Sequence, residues 1–253
     1  MLRLDGRTAL IAGASSGLGA EFARLFASAG ARVVLGARRL ERVEALADEL
    51  ERDGAEALGV KLDVSDDALV SAAFDAAESR FGTVDTVVAN AGTASGGRST
   101  DLAESAIRRV IDTNQLGTDL VARQAAQRLI ASGSREHDNG RILFIGSITA
   151  EQNHTGDAAY AATKIGIAHL ARQFAREWAR QGINVNPIQP GWIHTELNDD
   201  WFHSEDSRAA IAALPRRRMQ AKESLQDMVL YLCSDRSRAI TGATFTIDDG
   251  QSL

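Results

Sequence analysis

The sequence predicts one α/β domain with a doubly wound, parallel sheet of about seven strands and helices on both faces. Short apolar runs alternate with helix-like segments along the chain, and a glycine-rich turn joins the first run to the first helix. No linker or change of composition divides the 253 residues. Strand–helix alternation implies parallel strands joined by right-handed crossovers. We therefore expect a single domain over residues 1–253.

The first half of the chain is expected to supply four strands. Short apolar runs at 7–12, 31–36, 57–62 and 84–89 are interpreted as buried strands, because parallel strands covered on both faces have continuous apolar sequences. The helices between them are predicted at 20–29, 39–51 and 66–80. Gly30 is a typical helix end, and Asp66 and Asp67 suit a first helical turn.

The second half continues the alternation with longer helices. We predict helices at 102–132, 157–180 and 222–234, and strands at 141–147, 183–189 and 243–248. Residues 191–221 contain aromatic residues and an arginine run but lack a clear period, so they are expected to be irregular.

Composition excludes several classes of partner. The net charge of −6 argues against nucleic acid or an anionic membrane as a general partner. No apolar run approaches the ~20 residues of a membrane span. One cysteine, Cys233, allows no internal disulfide and is expected to be buried. The short apolar run near the start does not make a signal peptide, so we expect a cytoplasmic protein.

The turn Gly13-x-x-x-Gly17-x-Gly19 predicts a dinucleotide site. It lies between a predicted strand and a predicted helix, which is the context that a Rossmann-type phosphate turn requires. Glycines permit close backbone approach to an anion, and the helix N-terminus offers free N–H groups.

Tyr160 and Lys164 are the candidate acid/base pair. They lie four residues apart and share one face of a predicted helix. A free tyrosine titrates near pKa ~10, and a nearby ammonium is expected to lower that pKa by favouring the phenolate. Taken alone, the pair could equally be a tyrosine and a snorkelling lysine on a solvated helix.

The chain resembles the short-chain dehydrogenase/reductase family, and in particular its 3-oxoacyl-carrier-protein-reductase-like ketoreductases. The motifs that carry the resemblance are GASSGLG at 13–19, Asp63, NAG at 90–92, PGWIHT at 190–195, and ITG at 240–242 with DDG at 248–250. Asn114, Ser147, Tyr160 and Lys164 fall where the family has its catalytic tetrad. Ala12 and Asp249 depart from the family pattern, and Asp249 affects the C-terminal turn.

The resemblance implies a role for each matched residue. Tyr160 would act as acid or base, Ser147 would hydrogen-bond the substrate oxygen, and Lys164 would also bind the nicotinamide ribose. Asn114 would hold a water that relays protons. The residues expected to bind the cofactor are Gly13, Ser15, Ser16, Gly17, Leu18, Gly19, Arg38, Arg39, Asp63, Val64, Asn90, Ala91, Gly92, Tyr160, Lys164, Pro190, Gly191, Ile193 and Thr195. A strand-end serine and an asparagine at a helix bend are the plainer interpretations of Ser147 and Asn114.

The end of the second predicted strand favours NADP over NAD. NAD-binding proteins of this fold place a carboxylate there to hold the ribose 2′-hydroxyl. This chain has Arg38 and Arg39 instead, and guanidinium groups suit a 2′-phosphate. The alternative is a solvated basic helix start paired with Glu41 or Glu44.

The segment 192–214 is expected to form an apolar lid over the nicotinamide. Three of its residues, Trp192, Leu197 and Trp201, are predicted to line the substrate pocket. Thr149 and His154 are predicted to complete that pocket. A surface-loop role is the alternative for His154. The run Arg216–Arg218 is interpreted as solvated, the alternative being attraction of an acidic substrate. The spacing of the five histidines predicts no metal site.

These observations predict an NADP-dependent oxidoreductase that interconverts a ketone or aldehyde and an alcohol, and the expected substrate is a hydrophobic or 3-oxoacyl carbonyl compound. The alternatives are a non-catalytic NADP-binding sensor or structural subunit, an NAD-dependent alcohol or sugar dehydrogenase, and a sugar-nucleotide epimerase or dehydratase. By resemblance, the long helices at 102–132 and 157–180 would pair between subunits of a homotetramer, or of a dimer, and the alternative is that they only cover the sheet.

Overall fold

A computed structural model describes residues 2–253, with every side chain except those at positions 205 and 206. The domain expected over 1–253 thus begins one residue before the described range. The strands are β1 (Thr8–Ala12), β2 (Arg32–Ala37), β3 (Ala57–Lys61), β4 (Thr86–Ala89), β5 (Gly140–Ile145), β6 (Ile183–Pro190) and β7 (Phe245–Ile247). The helices are α1 (Gly17–Ser28), α2 (Leu40–Arg52), α3 (Asp67–Phe81), α4 (Glu104–Ile111), α5 (Gly117–Ala131), α6 (Ser134–His137), α7 (Ala158–Trp178), α8 (Asp199–Phe202), α9 (Glu205–Ala213) and α10 (Gln226–Cys233).

The seven strands form one sheet in the order β3-β2-β1-β4-β5-β6-β7, with parallel pairing throughout. The predicted doubly wound α/β fold is therefore confirmed. The strand order changes direction between β1 and β4. In such sheets ligands bind in the crevice outside the carboxyl ends of the strands at this switch point.

Two apolar cores cover the two faces of the sheet. Helices α1, α2 and α10 pack on one face around Phe22 and Phe26, and α3, α5 and α7 pack on the other around Phe74 and Phe174. Every residue of β1, β4, β5 and β6 is buried as a result. This double coverage explains why the strands appear in the sequence as continuous apolar runs.

The structure corrects the prediction for residues 191–221. This segment is not irregular, because it contains α8 and α9. Both helices are short, and α9 is capped by Ser204, whose Oγ accepts the Ser207 N–H at 3.3 Å. Local capping of this kind stabilises a helix start without an apolar period in the sequence.

The helix predicted over 102–132 is interrupted. A single π-helical turn, Asp112–Leu116, separates α4 from α5. In addition, α6 was not predicted. No helix within residues 2–253 is long and apolar enough to cross a bilayer.

The arginine run 216–218 is exposed to solvent, as expected, and two of its members also pair with a carboxylate. Arg218 Nε donates to Asp249 Oδ2 at 2.7 Å, and Arg216 Nε lies 3.3 Å from Asp249 Oδ1. Asp249 adopts a left-handed conformation with φ 57°. The unusual residue of the DDG motif therefore ties the chain after α9 to the C-terminal turn.

Candidate functional site

A cleft of about 1170 Å³ opens beyond the carboxyl ends of the central strands. It brings together nearly all the residues that the sequence predicts for the site. Those that line it are Gly13, Ser15, Ser16, Gly17, Leu18, Arg38, Arg39, Asp63, Val64, Asn90, Ala91, Gly92, Ser147, Thr149, His154, Tyr160, Lys164, Pro190, Gly191, Trp192, Ile193, Thr195, Leu197 and Trp201. Gly19 and Asn114 are not among the lining residues.

The glycine turn is packed too tightly for side chains. A Cβ at Gly13 would lie 2.7 Å from Ala91 Cα, and a Cβ at Gly19 would overlap the Gly13 carbonyl oxygen. Asn90 Nδ2 donates to that same oxygen at 3.0 Å, which fixes the turn against the end of β4. The N-cap of α1, Ser16, makes no side-chain capping bond. Because these features leave helix N–H groups open to an anion, the turn fits a nucleotide phosphate.

A basic cluster adjoins this turn at the end of β2. Arg39 donates through Nε and Nη2 to Ser15 Oγ, at 3.1 and 2.8 Å, and through Nη2 to Ser16 Oγ at 2.9 Å. Arg38 is exposed at the edge of the cleft. No carboxylate follows β2 before α2 begins, so this position lacks the acidic residue that binds a ribose 2′-hydroxyl.

The acidic partner of this cluster differs from the predicted alternatives, Glu41 and Glu44. Glu196, which follows Thr195 in sequence, accepts from Arg39 Nη1 at 2.9 Å and from Arg42 Nη1 at 2.7 Å. Hydrogen bonds from Arg39 and Arg42 lower the pKa of Glu196 to about 2. Sequence reasoning missed this residue because nothing local links two positions so far apart in the chain.

Asn114 lies fully buried in the π-helical turn between α4 and α5. Its Oδ1 accepts the Thr93 N–H at 2.8 Å, and its Nδ2 donates to the Thr93 carbonyl at 2.9 Å and to Thr163 Oγ1 at 3.1 Å. Asn114 is therefore both a residue at a helix distortion and a clamp on the loop after β4. Single π-helical turns are frequent at functional sites.

Lys164 is buried against the end of β5. The residue is only 4% exposed, and its Nζ donates a hydrogen bond to the Ile145 carbonyl at 2.8 Å. The same Nζ lies 5.4 Å from the centroid of the Tyr160 ring. Tyr160 and Lys164 thus share one face of α7, as predicted. This face places the amine beside the phenol in the cleft rather than in solvent.

The pKa of Tyr160 corrects the expectation drawn from the sequence. Desolvation raises it to about 12, although a hydrogen bond with Ser147 acts in the opposite direction. The pKa of Lys164 is lowered to about 8 by burial. Burial is the main cause of both shifts, because it penalises the charged form of both groups. In this state the phenol is protonated at neutral pH.

Ser147 follows β5 and points its hydroxyl group into the same region. Its Oγ accepts the Thr149 N–H at 3.2 Å, so it caps the short turn Ile148–Ala150. The plain interpretation as a strand-end cap is therefore correct, and the contact with Tyr160 accompanies it. The Thr149 Oγ1 is buried and has no hydrogen-bond partner in the described structure.

Aromatic side chains form one wall of the cleft. Trp192 contacts the His154 ring at a centroid distance of 5.3 Å and the Trp201 ring, edge to face, at 5.0 Å. His154 is exposed, so it lies on a surface loop and at the cleft wall at the same time. Phe202, predicted as part of the apolar lid, stacks on His194 at 4.1 Å.

Two glutamines that sequence reasoning missed hold the start of the 192–214 segment. Gln220 Oε1 accepts the Gly191 N–H at 2.8 Å, and Gln251 Oε1 accepts the Trp192 N–H at 2.6 Å. A Cβ at Gly191 would lie within 3 Å of both amide oxygens. This close approach gives a physical reason for glycine in the Pro190-Gly191 motif.

Three exposed side chains of the 192–214 segment also converge. His194, Asp199 and His203 bring ligand atoms within 4.8 Å of one another, although their sequence spacing predicts no metal site. His194 Nε2 lies 2.7 Å from Asp199 Oδ1, so a hydrogen bond accounts for the closest contact.

Comparison with known proteins identifies the family. The family model described as Enoyl-(Acyl carrier protein) reductase matches residues 13–252. A 3-ketoacyl-(acyl-carrier-protein) reductase from Brucella melitensis, complexed with NADH, superimposes with a TM-score of 0.89 at 31% identity and covers 98% of this chain and 99% of that one. The chain belongs to the short-chain dehydrogenase/reductase family.

Relatives within the short-chain dehydrogenase/reductase family differ in substrate and cofactor. The cis-4-hydroxycyclohexanecarboxylate dehydrogenase of Sinomonas cyclohexanicum is 36% identical over 246 residues, 96% of each chain. A gluconate 5-dehydrogenase from Burkholderia cenocepacia, in complex with NADP and tartrate, has a TM-score of 0.92 at 32% identity and covers 99% of this chain and 97% of its own. The protein is therefore an oxidoreductase of a family whose members bind nicotinamide cofactors.

Substituting Asn114 tests its role as a clamp. In Asn114→Ala the backbone N–H and carbonyl of Thr93 lose their partners, and we expect the free energy of unfolding to fall by about 2–3 kcal/mol. Urea denaturation followed by circular dichroism measures this change. Thr163→Val is the comparison variant, because it leaves both bonds to Thr93 in place. It removes the bond from Asn114 and the bond that Thr163 Oγ1 donates to the Tyr160 carbonyl, and should cost about 1–2 kcal/mol. Equal stability of Asn114→Ala and the unmodified protein would contradict the clamp.

Proposed function

We propose that the protein is an NADP-dependent ketoreductase that interconverts a ketone or aldehyde and its alcohol. The main support is the arrangement of Tyr160 with the buried residues Ser147 and Lys164 at one end of a cleft, with the glycine turn at the other. A non-catalytic sensor on this fold would not require a buried amine beside a phenol. The complete set of reactive groups therefore favours an enzyme.

The chemistry needs a hydride, a proton and stabilisation of an oxyanion. When bound, NADPH would supply the hydride for the carbonyl carbon. Tyr160 then donates its phenolic proton to the carbonyl oxygen as negative charge develops there. Ser147 donates a hydrogen bond to the same oxygen and positions it. A pKa of about 12 keeps Tyr160 protonated at neutral pH, which suits a proton donor in the direction of reduction.

Lys164 completes the proton transfer. After Tyr160 gives up its proton, the ammonium of Lys164 stabilises the phenolate that remains. A pKa of about 8 lets this amine gain and lose a proton near neutral pH. We also propose that the Lys164 amine binds the ribose hydroxyl groups next to the nicotinamide. Asn114 supports the site by holding the loop after β4, and we also assign it the relay water.

The remaining lining residues are assigned to the cofactor. The turn 13–19 and residues 90–92 would contact the phosphates and the adjoining ribose. Asp63 and Val64, at the end of β3, would lie against the adenine. Ile193 and Thr195 would hold the carboxamide, which fixes the hydride face that the substrate meets.

We assign NADP as the preferred cofactor. Arg38 is exposed at the cleft edge, Arg39 bridges to Ser15, and no carboxylate follows β2. Guanidinium groups bind phosphate through planar, bidentate contacts. Among the relatives, the Burkholderia structure contains NADP and the Brucella structure contains NADH. The choice between NADP and NAD is therefore argued from the residues of this chain.

We propose a hydrophobic carbonyl compound, such as a 3-oxoacyl group or a cyclic ketone, as the substrate. The aromatic wall of Trp192, His154 and Trp201 supports an apolar ligand, because binding sites are largely apolar with a few polar anchors. Leu197 and Thr149 complete the proposed pocket. Residues 192–214 would close over it as a lid that excludes water.

A homotetramer in the cytoplasm is the proposed form of the enzyme. Three large apolar side chains are exposed on the adjacent helices α4 and α7 and on the turn that follows α4. They are Ile111, Leu116 and Ile165, with 43%, 42% and 55% of their surface exposed. Apolar side chains on the two long helical stretches favour burial between subunits. Light scattering after size exclusion should give about four times the 27.0 kDa chain mass, and a monomeric mass would contradict the assembly.

Replacing the proposed proton donor tests the reaction class. Tyr160→Phe removes the phenolic hydroxyl and keeps the ring, so we expect kcat for ketone reduction to fall at least ~100-fold while NADPH binding changes little. NADPH consumption against a panel of aliphatic, cyclic and 3-oxoacyl ketones measures turnover, and fluorescence titration measures binding. Turnover of the variant near that of the unmodified enzyme would refute the assignment.

Reversing the charge at the end of β2 tests the cofactor. The unmodified enzyme should have a kcat/KM for NADPH at least ~10-fold above that for NADH, and Arg38→Asp should narrow or reverse that ratio by replacing a phosphate-binding cation with a repelling anion. Steady-state kinetics with both cofactors provide the comparison. Equal use of NADPH and NADH by the unmodified enzyme would show that the assignment is wrong.

A further inference from the structure

Glu196 places a carboxylate against the basic cluster at the end of β2. Its two oxygens contact Arg39 Nη1 at 2.9 Å and Arg42 Nη1 at 2.7 Å. Arg39 uses its other donors on Ser15 and Ser16 of the glycine turn. One guanidinium therefore holds an internal anion while it lies at the position proposed for the cofactor's 2′-phosphate.

The backbone around Glu196 is fixed. Thr195 N–H donates to Asn198 Oδ1 at 2.9 Å, and Asn198 Nδ2 donates to the Ile193 carbonyl at 2.9 Å. A Cβ on Gly17 would lie 3.4 Å from Thr195 Cβ, so this part of the chain sits directly on the phosphate turn. These contacts place the Glu196 backbone beside the turn, and the two ion pairs hold its exposed carboxylate on Arg39 and Arg42. Its pKa of about 2 keeps it charged at every pH at which the enzyme would work.

We propose that Glu196 competes with the 2′-phosphate of NADP(H) for Arg39 and so limits how strongly the enzyme prefers NADP over NAD. This inference rests on the proposed cofactor site. A carboxylate and a phosphate repel each other when they share one guanidinium. NADP(H) must displace Glu196 from Arg39 or share the cation with it, whereas NAD(H), which has no 2′-phosphate, leaves the contact intact.

The competition couples the cofactor to the segment 192–214. Glu196 lies in that segment, so a ligand that displaces its carboxylate also releases one of the segment's anchors. By reciprocity, a ligand that draws Glu196 away from Arg39 would strengthen binding of the 2′-phosphate by the same factor.

The test compares two ligands that differ only in the 2′-phosphate. Adenosine 2′,5′-bisphosphate and 5′-AMP are titrated into the full-length protein by calorimetry, with the unmodified chain, Glu196→Gln and Glu196→Ala. We expect both variants to bind the bisphosphate about fivefold to tenfold more tightly, since removing one anion from a partly exposed arginine pair has an effect of this order. Binding of 5′-AMP should change by less than about twofold.

Glu41→Gln is the matched control for net charge. Glu41 is an exposed carboxylate in the first turn of α2, the helix that carries Arg42, and its removal should leave the ratio of the two affinities within about twofold. The inference is overturned if Glu196→Gln and Glu196→Ala leave that ratio unchanged, if they tighten both ligands equally, or if Glu41→Gln has the same effect. A melting curve for each variant verifies that it is folded.

The outcome is separable from that of the proposed function. Preference of the unmodified enzyme for NADPH over NADH is measured independently by kinetics. If that preference holds and the Glu196 variants do not alter the affinity ratio, only the competition is wrong. If the unmodified enzyme prefers NADH and the Glu196 variants still gain affinity for the bisphosphate, the competition stands and the cofactor assignment is wrong.

Discussion

The site depends on the burial of the Lys164 amine beside the Tyr160 phenol. Lys164 loses contact with water and gains a hydrogen bond to the Ile145 carbonyl at the end of β5. Burial moves the pKa values of both groups against their charged forms, to about 8 for Lys164 and about 12 for Tyr160. A phenol that stays protonated beside an amine that titrates near neutral pH is a suitable proton donor with a nearby source of positive charge.

Elements that meet at the carboxyl edge of the sheet surround the buried amine. The carboxyl ends of parallel strands lie at the same edge of the sheet. The Ile145 carbonyl, the glycine turn and the loop after β4 therefore lie close together. Asn114 fixes that loop, and a Cβ at Gly92 would lie 3.7 Å from Asn114 Oδ1 and 3.8 Å from Lys164 Nζ. The loop after β4 therefore lies at ordinary contact distance from the buried amine.

The sequence predicts those features that depend on local patterns. The positions of the strands and the glycine turn follow from apolar runs and residue spacing, and the motifs of the family indicate that Tyr160 and Ser147 share one site. The direction of the Tyr160 pKa shift could not be read in this way, because desolvation is a property of the packed structure. Contacts such as Glu196 with Arg39 join distant parts of the chain, and short helices such as α8 and α9 lack a full apolar period.

The pH dependence of ketone reduction tests the role of the buried pair most directly. The kcat/KM for NADPH reports groups of the cofactor-free enzyme, and the ketone should lack ionisable groups. Because the pKa of Lys164 is lowered to about 8, its ammonium is present below that pH and is lost above it. The account predicts a plateau at neutral pH and a decline of about tenfold per pH unit above about pH 8. A constant kcat/KM from neutral pH to about pH 10, with the protein still folded, would contradict it.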